Sequence, residues 1–145
     1  HQASPGKGRF GYAVGSLSCH GQRYETNYDP GCHRKQSDHL MANFGLLVLG
    51  RERGCEIILA DPWNYMKLIE SGTVLKRSEQ FGKYVSFFSI GGDVPGLTLK
   101  GFKYPLNRHY LTASDSGLTV SNEIVAEEAV VEFEKGTLLM LMTGD

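Results

Sequence analysis

From residue 37 onward the apolar and polar positions fall into order. Leu40, Met41, Phe44, Leu47 and Val48 recur at helical intervals and predict a helix with one apolar face. Ser37 or Asp38 can cap its N-terminus and Gly54 can end it. Gly45 and Gly50 fall inside that span and weaken it. The run 55–60 reads as a buried strand, stopped by Asp61-Pro62 because proline cannot donate to a ladder. A helix followed by a buried strand is a piece of an α/β layer. It cannot stand alone, since a single strand leaves its backbone unsatisfied.

Beyond Trp63 the periodicity shortens to two. Candidate strands are 65–69, 72–76, 84–90, 97–102, 110–113, 118–120, 128–134 and 137–142, punctuated by Gly, Pro, Asn and Asp. Val131 and Phe133 alternate with Glu132 and Glu134, as in a half-solvated strand. Glu134-Lys135-Gly136 reads as a hairpin turn. Many short strands at this spacing predict a sandwich or barrel. The expected class is therefore mainly β: a C-terminal antiparallel β-sandwich over 65–145, preceded at 38–64 by the last helix and strand of a truncated α/β domain. Residues 1–37 are Gly-rich without a sustained period and read as irregular.

Composition narrows the function classes. The 145 residues are 41% hydrophobic and 21% charged, the profile of a globular protein of one ordinary or two small domains. A net charge of −1 gives no electrostatic reason to expect nucleic acid or membrane partners. No membrane span and no signal peptide are predicted. Cys19, Cys32 and Cys55 are odd in number and make no disulfide framework, so a reducing cytoplasmic setting is the default. Cys19-His20 and Cys32-His33 lack the spacing of a zinc site, because adjacent ligands rarely reach one tetrahedral ion. Lys7-Gly8-Arg9-Phe10-Gly11-Tyr12 is a basic-aromatic run of the sort single-strand RNA readers use, with the wrong spacing.

The most ligand-like cluster is Ser121-Asn122-Glu123, following Gly101-Phe102-Lys103-Tyr104-Pro105-Leu106. Short polar side chains suit orienting a polar heterocycle. They equally suit hydrogen-bonding their own turn. Tyr104 reads either as a ring platform or as a rim aromatic of the sandwich. Asp38 and His39 read as a cap and a polar first turn.

Those two motifs, with the terminal Gly136-Thr137-Leu138-Leu139 strand, resemble the C-terminal β-domain of thiamine pyrophosphokinases (thiamine diphosphokinases). The resemblance runs from about Asp38 to Asp145. Asp38, His39 and Asn43 match the family's Arg-x-Asp-His-x-x-x-Asn element, at the edge of its nucleotide-binding α/β domain. Gln36 stands where the arginine belongs and offers phosphate neither charge nor fork.

The resemblance implies transfer of diphosphate from ATP to thiamine, giving thiamine diphosphate and AMP. Such chemistry rests on positioning and charge neutralisation. It implies Mg2+, for which the family's upstream carboxylates are missing here, and no metal ligand is retained. Asp38 is the catalytic candidate, with His39 and Asn43 on the phosphate side. Tyr104, Ser121 and Asn122 would hold thiamine. A homodimer is implied, its site shared between one chain's α/β domain and the other's β-domain.

Residues 1–37 do not match the family in this frame. Read one nucleotide out of phase, suitable codons turn 7–12 into Lys-Glu-Asp-Ser-Asp-Thr and 30–36 into Leu-Gly-Ala-Thr-Gly-Ser-Arg. Those strings resemble the family's acidic and Gly-rich segments, so an out-of-frame origin is expected, and the parent DNA read in three frames tests it. The chain alone is expected to be catalytically impaired. The alternatives are a non-catalytic β-sandwich binding module and, more weakly, an RNA-binding protein.

Overall fold

A computed structural model describes residues 23–27, 37–115 and 117–144, with side chains from Met41 onward among these. Expectations placed on 7–12, Cys19, His20, Cys32, His33 and Gln36 lie outside the described residues.

The described elements are β1 (Arg23–Asn27), α1 (Ser37–Glu52), β2 (Glu56–Ala60), β3 (Asn64–Ile69), β4 (Thr73–Lys76), β5 (Tyr84–Ser89), β6 (Val94–Lys100), β7 (Leu106–Leu111), β8 (Glu128–Glu132) and β9 (Leu138–Thr143). A short 3-10 turn spans Arg77–Glu79. The strands form a five-stranded sheet, ordered β1-β2-β3-β9-β5, and a four-stranded sheet, ordered β4-β8-β6-β7. All pairings are antiparallel except β1 with β2. The chain is mainly β, as its short-period pattern predicts.

Alternation sorts the side chains of the five-stranded sheet onto two faces. Ile69, Val85, Phe87, Leu138, Met140 and Met142 turn toward the other sheet and meet Leu75, Val94, Leu97, Leu99, Leu111 and Val131. Phe87 and Phe102 pack edge to face there, with ring centroids 5.7 Å apart. On the opposite face Ile57, Leu59 and Leu139 pack with Leu47 of α1. Gly50 permits the close approach, since a Cβ there would meet the Ile57 side chain at 2.4 Å. The glycine that weakens the helix in isolation is what lets it seat on β2.

Several expectations change. Within 1–37, read as irregular, Arg23–Asn27 pairs with β2, because an open strand edge recruits backbone whatever its side-chain period. Backbone pairing also runs across residue 64, where β2 and β3 share a ladder, so segments 38–64 and 65–145 meet in one sheet. Met41, expected on the apolar helix face, is 66% exposed. The expected strand 118–120 is a turn closed by Leu118 N–H on the Asp115 carbonyl. The strand expected at 110–113 begins at Leu106, because β6 supplies a ladder partner to the polar residues before Tyr110. Glu134-Lys135-Gly136 is no hairpin: β8 and β9 belong to different sheets, and the turn carries the chain between them. Cys55 is disulfide-bonded, whereas the odd cysteine count predicts no disulfide framework and a reducing setting by default.

Candidate functional site

The two motif segments meet as a short antiparallel ribbon. Phe102 bridges Ile124, and Lys103 N–H donates to the Glu123 carbonyl at 2.8 Å. Phe102 and Ile124 point into the core, each 4% exposed. Alternation therefore turns Lys103 and Glu123 outward. Gly101 starts the ribbon at φ +82°, where a Cβ would lie 2.7 Å from the Glu128 carbonyl oxygen.

Asn122 locks the end of the ribbon. Its Oδ1 accepts from Tyr104 N–H at 3.0 Å and Glu123 N–H at 2.9 Å, and its Nδ2 donates to the Tyr104 carbonyl at 2.8 Å. The amide thus copies a backbone bridge with its side chain. It is 2% exposed. Its own backbone exchanges two hydrogen bonds with Val85. Thr119 does the same work nearby: its carbonyl accepts from Phe87 N–H, and its hydroxyl donates to the Phe87 carbonyl. Segment 119–122 therefore lies along the outer edge of β5.

Ser121 sits between these anchors at φ +56°, a conformation uncommon for a residue with a Cβ. Its N–H donates to Ser86 Oγ at 2.9 Å. Its side chain is exposed. Backbone strain of this sort is held only where surrounding bonds over-determine it.

The ribbon's outer surface is aromatic and charged. Tyr104 is 57% exposed. Lys103 Nζ donates to Glu123 Oε1 at 3.1 Å and lies 5.6 Å from the Tyr104 ring centroid. The hydrogen bond to Glu123, then its charge, hold the Lys103 ammonium above its usual range, with smaller contributions from Tyr104 and Tyr84. Tyr84 carries Lys83 Nζ at 5.2 Å from its ring.

Residues 72–138 match the family model of the thiamin pyrophosphokinase vitamin B1 binding domain. A thiamine pyrophosphokinase of Bacillus subtilis (strain 168) is 34% identical over 110 residues, covering 76% of this chain and 51% of that protein. A crystal structure of thiamine pyrophosphokinase from Bacillus subtilis superposes with a TM-score of 0.74 at 31% identity, over 85% of this chain and 56% of that one. The chain belongs to the thiamine pyrophosphokinase family. A thiamin pyrophosphokinase structure from Geobacillus thermodenitrificans gives a TM-score of 0.68 at 28% identity, over 85% of this chain and 54% of that one. This chain spans about half the length of the curated thiamine pyrophosphokinase it matches.

Of the residues that the family resemblance singles out, the fold brings Tyr104, Ser121 and Asn122 together. Asp38 and His39 fall in the first turn of α1, and their side chains lie outside the described ones. Asn43, one turn on, is 4% exposed. Among the described residues no three His, Cys, Asp or Glu side chains gather where a metal could be held, so they do not fit the family's magnesium. A cleft of about 390 Å³ lies elsewhere, bordered by Leu47, Arg51, Lys67 and Glu70. Sequence reading missed Ser86 and Tyr84, which carry no local motif and reach the site only through β5. It also gave no role to the Lys103–Glu123 pair. Among the described residues no helix is long and apolar enough to cross a membrane.

Proposed function

We propose that this chain carries the vitamin-binding half of a thiamine diphosphokinase, an enzyme moving diphosphate from ATP to the thiamine hydroxyl with release of AMP. The observation that carries the reading is the clamped ribbon, which joins the two most specific motifs inside the matched vitamin B1 binding domain. In this reading the Ser121 hydroxyl meets the aminopyrimidine, the Tyr104 ring supplies a face to stack on, and Asn122 fixes both. Asn122 acts by geometry, since three of the four hydrogen-bonding positions of its amide are engaged.

The ATP side belongs to Asp38, His39 and Asn43 at the start of α1. No described residue is assigned to magnesium. The ribbon's open outer face favours a homodimer, in which a second copy's α/β layer covers the vitamin. The family's substrates make the cytoplasm its place of work. The resemblance leaves this chain without the family's upstream carboxylates, so on this reading the chain alone binds thiamine and turns over little.

Calorimetry with thiamine tests the binding. Measurable heat is expected from the wild-type chain, with a loss of roughly tenfold in affinity for Tyr104→Ala, the size of one stacking contact. No thiamine heat, or an unchanged affinity in Tyr104→Ala, would remove the reading. A steady release of AMP from ATP, Mg2+ and thiamine by the pure chain would overturn the claim of impairment alone.

A further inference from the structure

The Lys103 ammonium is a cation held between a carboxylate and a tyrosine ring. It is 3.1 Å from the Glu123 carboxylate and 5.6 Å from the centroid of the Tyr104 ring. A carboxylate beside an electron-rich ring face is chemistry that can recognise an aromatic or quaternary cation. Resting on the thiamine reading above, we infer that Lys103 occupies the seat of the thiazolium ring and competes with it, and that it thereby sets the preference between thiamine and its diphosphate.

The spacing supports this. Ser121 and Glu123 flank the buried Asn122 and are both turned away from the core. They are separated by at most about 7 Å of chain. Thiamine's two rings are joined by a single methylene, so a pyrimidine at Ser121 brings the thiazolium to Glu123. There it meets the lysine's charge. Thiamine carries one positive charge and must displace the ammonium from Glu123 and Tyr104. Thiamine diphosphate carries a net negative charge, so the displaced ammonium has a new partner in the diphosphate oxygens. The same side chain penalises the substrate and favours the product. It also explains why so exposed a lysine, with 47% of its side chain open to solvent, is engaged by both a carboxylate and a ring.

The test is calorimetry on the full chain with thiamine, thiamine diphosphate and the neutral alcohol 4-amino-5-hydroxymethyl-2-methylpyrimidine. The variants are Lys103→Met, Lys103→Gln and Lys103→Arg, each checked for an unchanged thermal midpoint. Reading the ratio of the two affinities removes any general weakening. Both neutral variants are expected to tighten thiamine by about threefold to tenfold, the order of one exposed ion pair plus one cation–π contact. They should weaken thiamine diphosphate, leave the neutral alcohol unchanged, and be reversed by Lys103→Arg. A product-to-substrate ratio that stays put in both neutral variants, or one that Lys103→Arg shifts equally, overturns the inference while leaving thiamine binding intact. If neither wild type nor any variant binds thiamine, the underlying reading falls as well.

Discussion

Replacing Asn122 by alanine isolates the joint that holds the candidate site together. The substitution removes an amide that is 2% exposed and deletes three hydrogen bonds, two to the Tyr104 backbone and one to Glu123 N–H. At about 0.5–1.5 kcal/mol each, their loss amounts to roughly 2–4 kcal/mol. For a domain of this size that lowers the thermal midpoint by about 8–15 °C. Tyr104→Ala is the control: its side chain is 57% exposed, and it should move stability by less than about 0.5 kcal/mol. The assay is urea unfolding followed by tryptophan fluorescence and far-UV circular dichroism, with coincident transitions required. A loss below about 1 kcal/mol for Asn122→Ala would mean that water replaces the amide freely, and the clamp would then be no clamp.

Two further outcomes follow from the same geometry. Gly101→Ala combines a backbone at φ +82° with a Cβ only 2.7 Å from the Glu128 carbonyl oxygen, so it should cost about 2–4 kcal/mol by the same urea assay. The Asp115 carboxyl is held below its usual range, first by the Thr112 N–H and then by His109. A depressed folded value means the stabilisation is present above the unfolded value and fades as pH falls through the folded one. The urea midpoint should therefore decline from about pH 4 downward. Asp115→Asn should lower it at neutral pH and flatten that decline, and parallel curves for the two proteins would exclude the effect.

What the sequence made legible was local. Val131 at 0% and Phe133 at 8% exposure, with exposed glutamates between and after them, follow from a period of two. The helix over Ser37–Glu52 follows from the apolar spacing around Leu47. The rest depends on partners far along the chain. Ser86 and Ser121 are 35 residues apart, and nothing in either neighbourhood announces that one accepts from the other. Asn122 reads as a turn or ligand residue because those are the short-range uses of asparagine, whereas here it serves a backbone 18 residues away. Leu118–Thr119–Val120 has the composition of a strand, yet Thr119 reaches β5 as part of a turn, because the edge beside Phe87 was open to it. The turn at Glu134–Gly136 has hairpin chemistry, but which sheet receives the next strand is decided by burial of Leu138 and Met140.

The segment that offers Ser121 also covers the last strand of the five-stranded sheet. Phe87 and Val85 donate their N–H groups to Thr119 and Asn122 instead of to a stranger's backbone. Anything that pries this segment loose bares a β-strand margin of the sort on which copies of a protein stack. Failure to grip the vitamin and a tendency to form fibrils or precipitate should accordingly travel together in damaged forms of this chain, and a small molecule that pins the segment would guard against both.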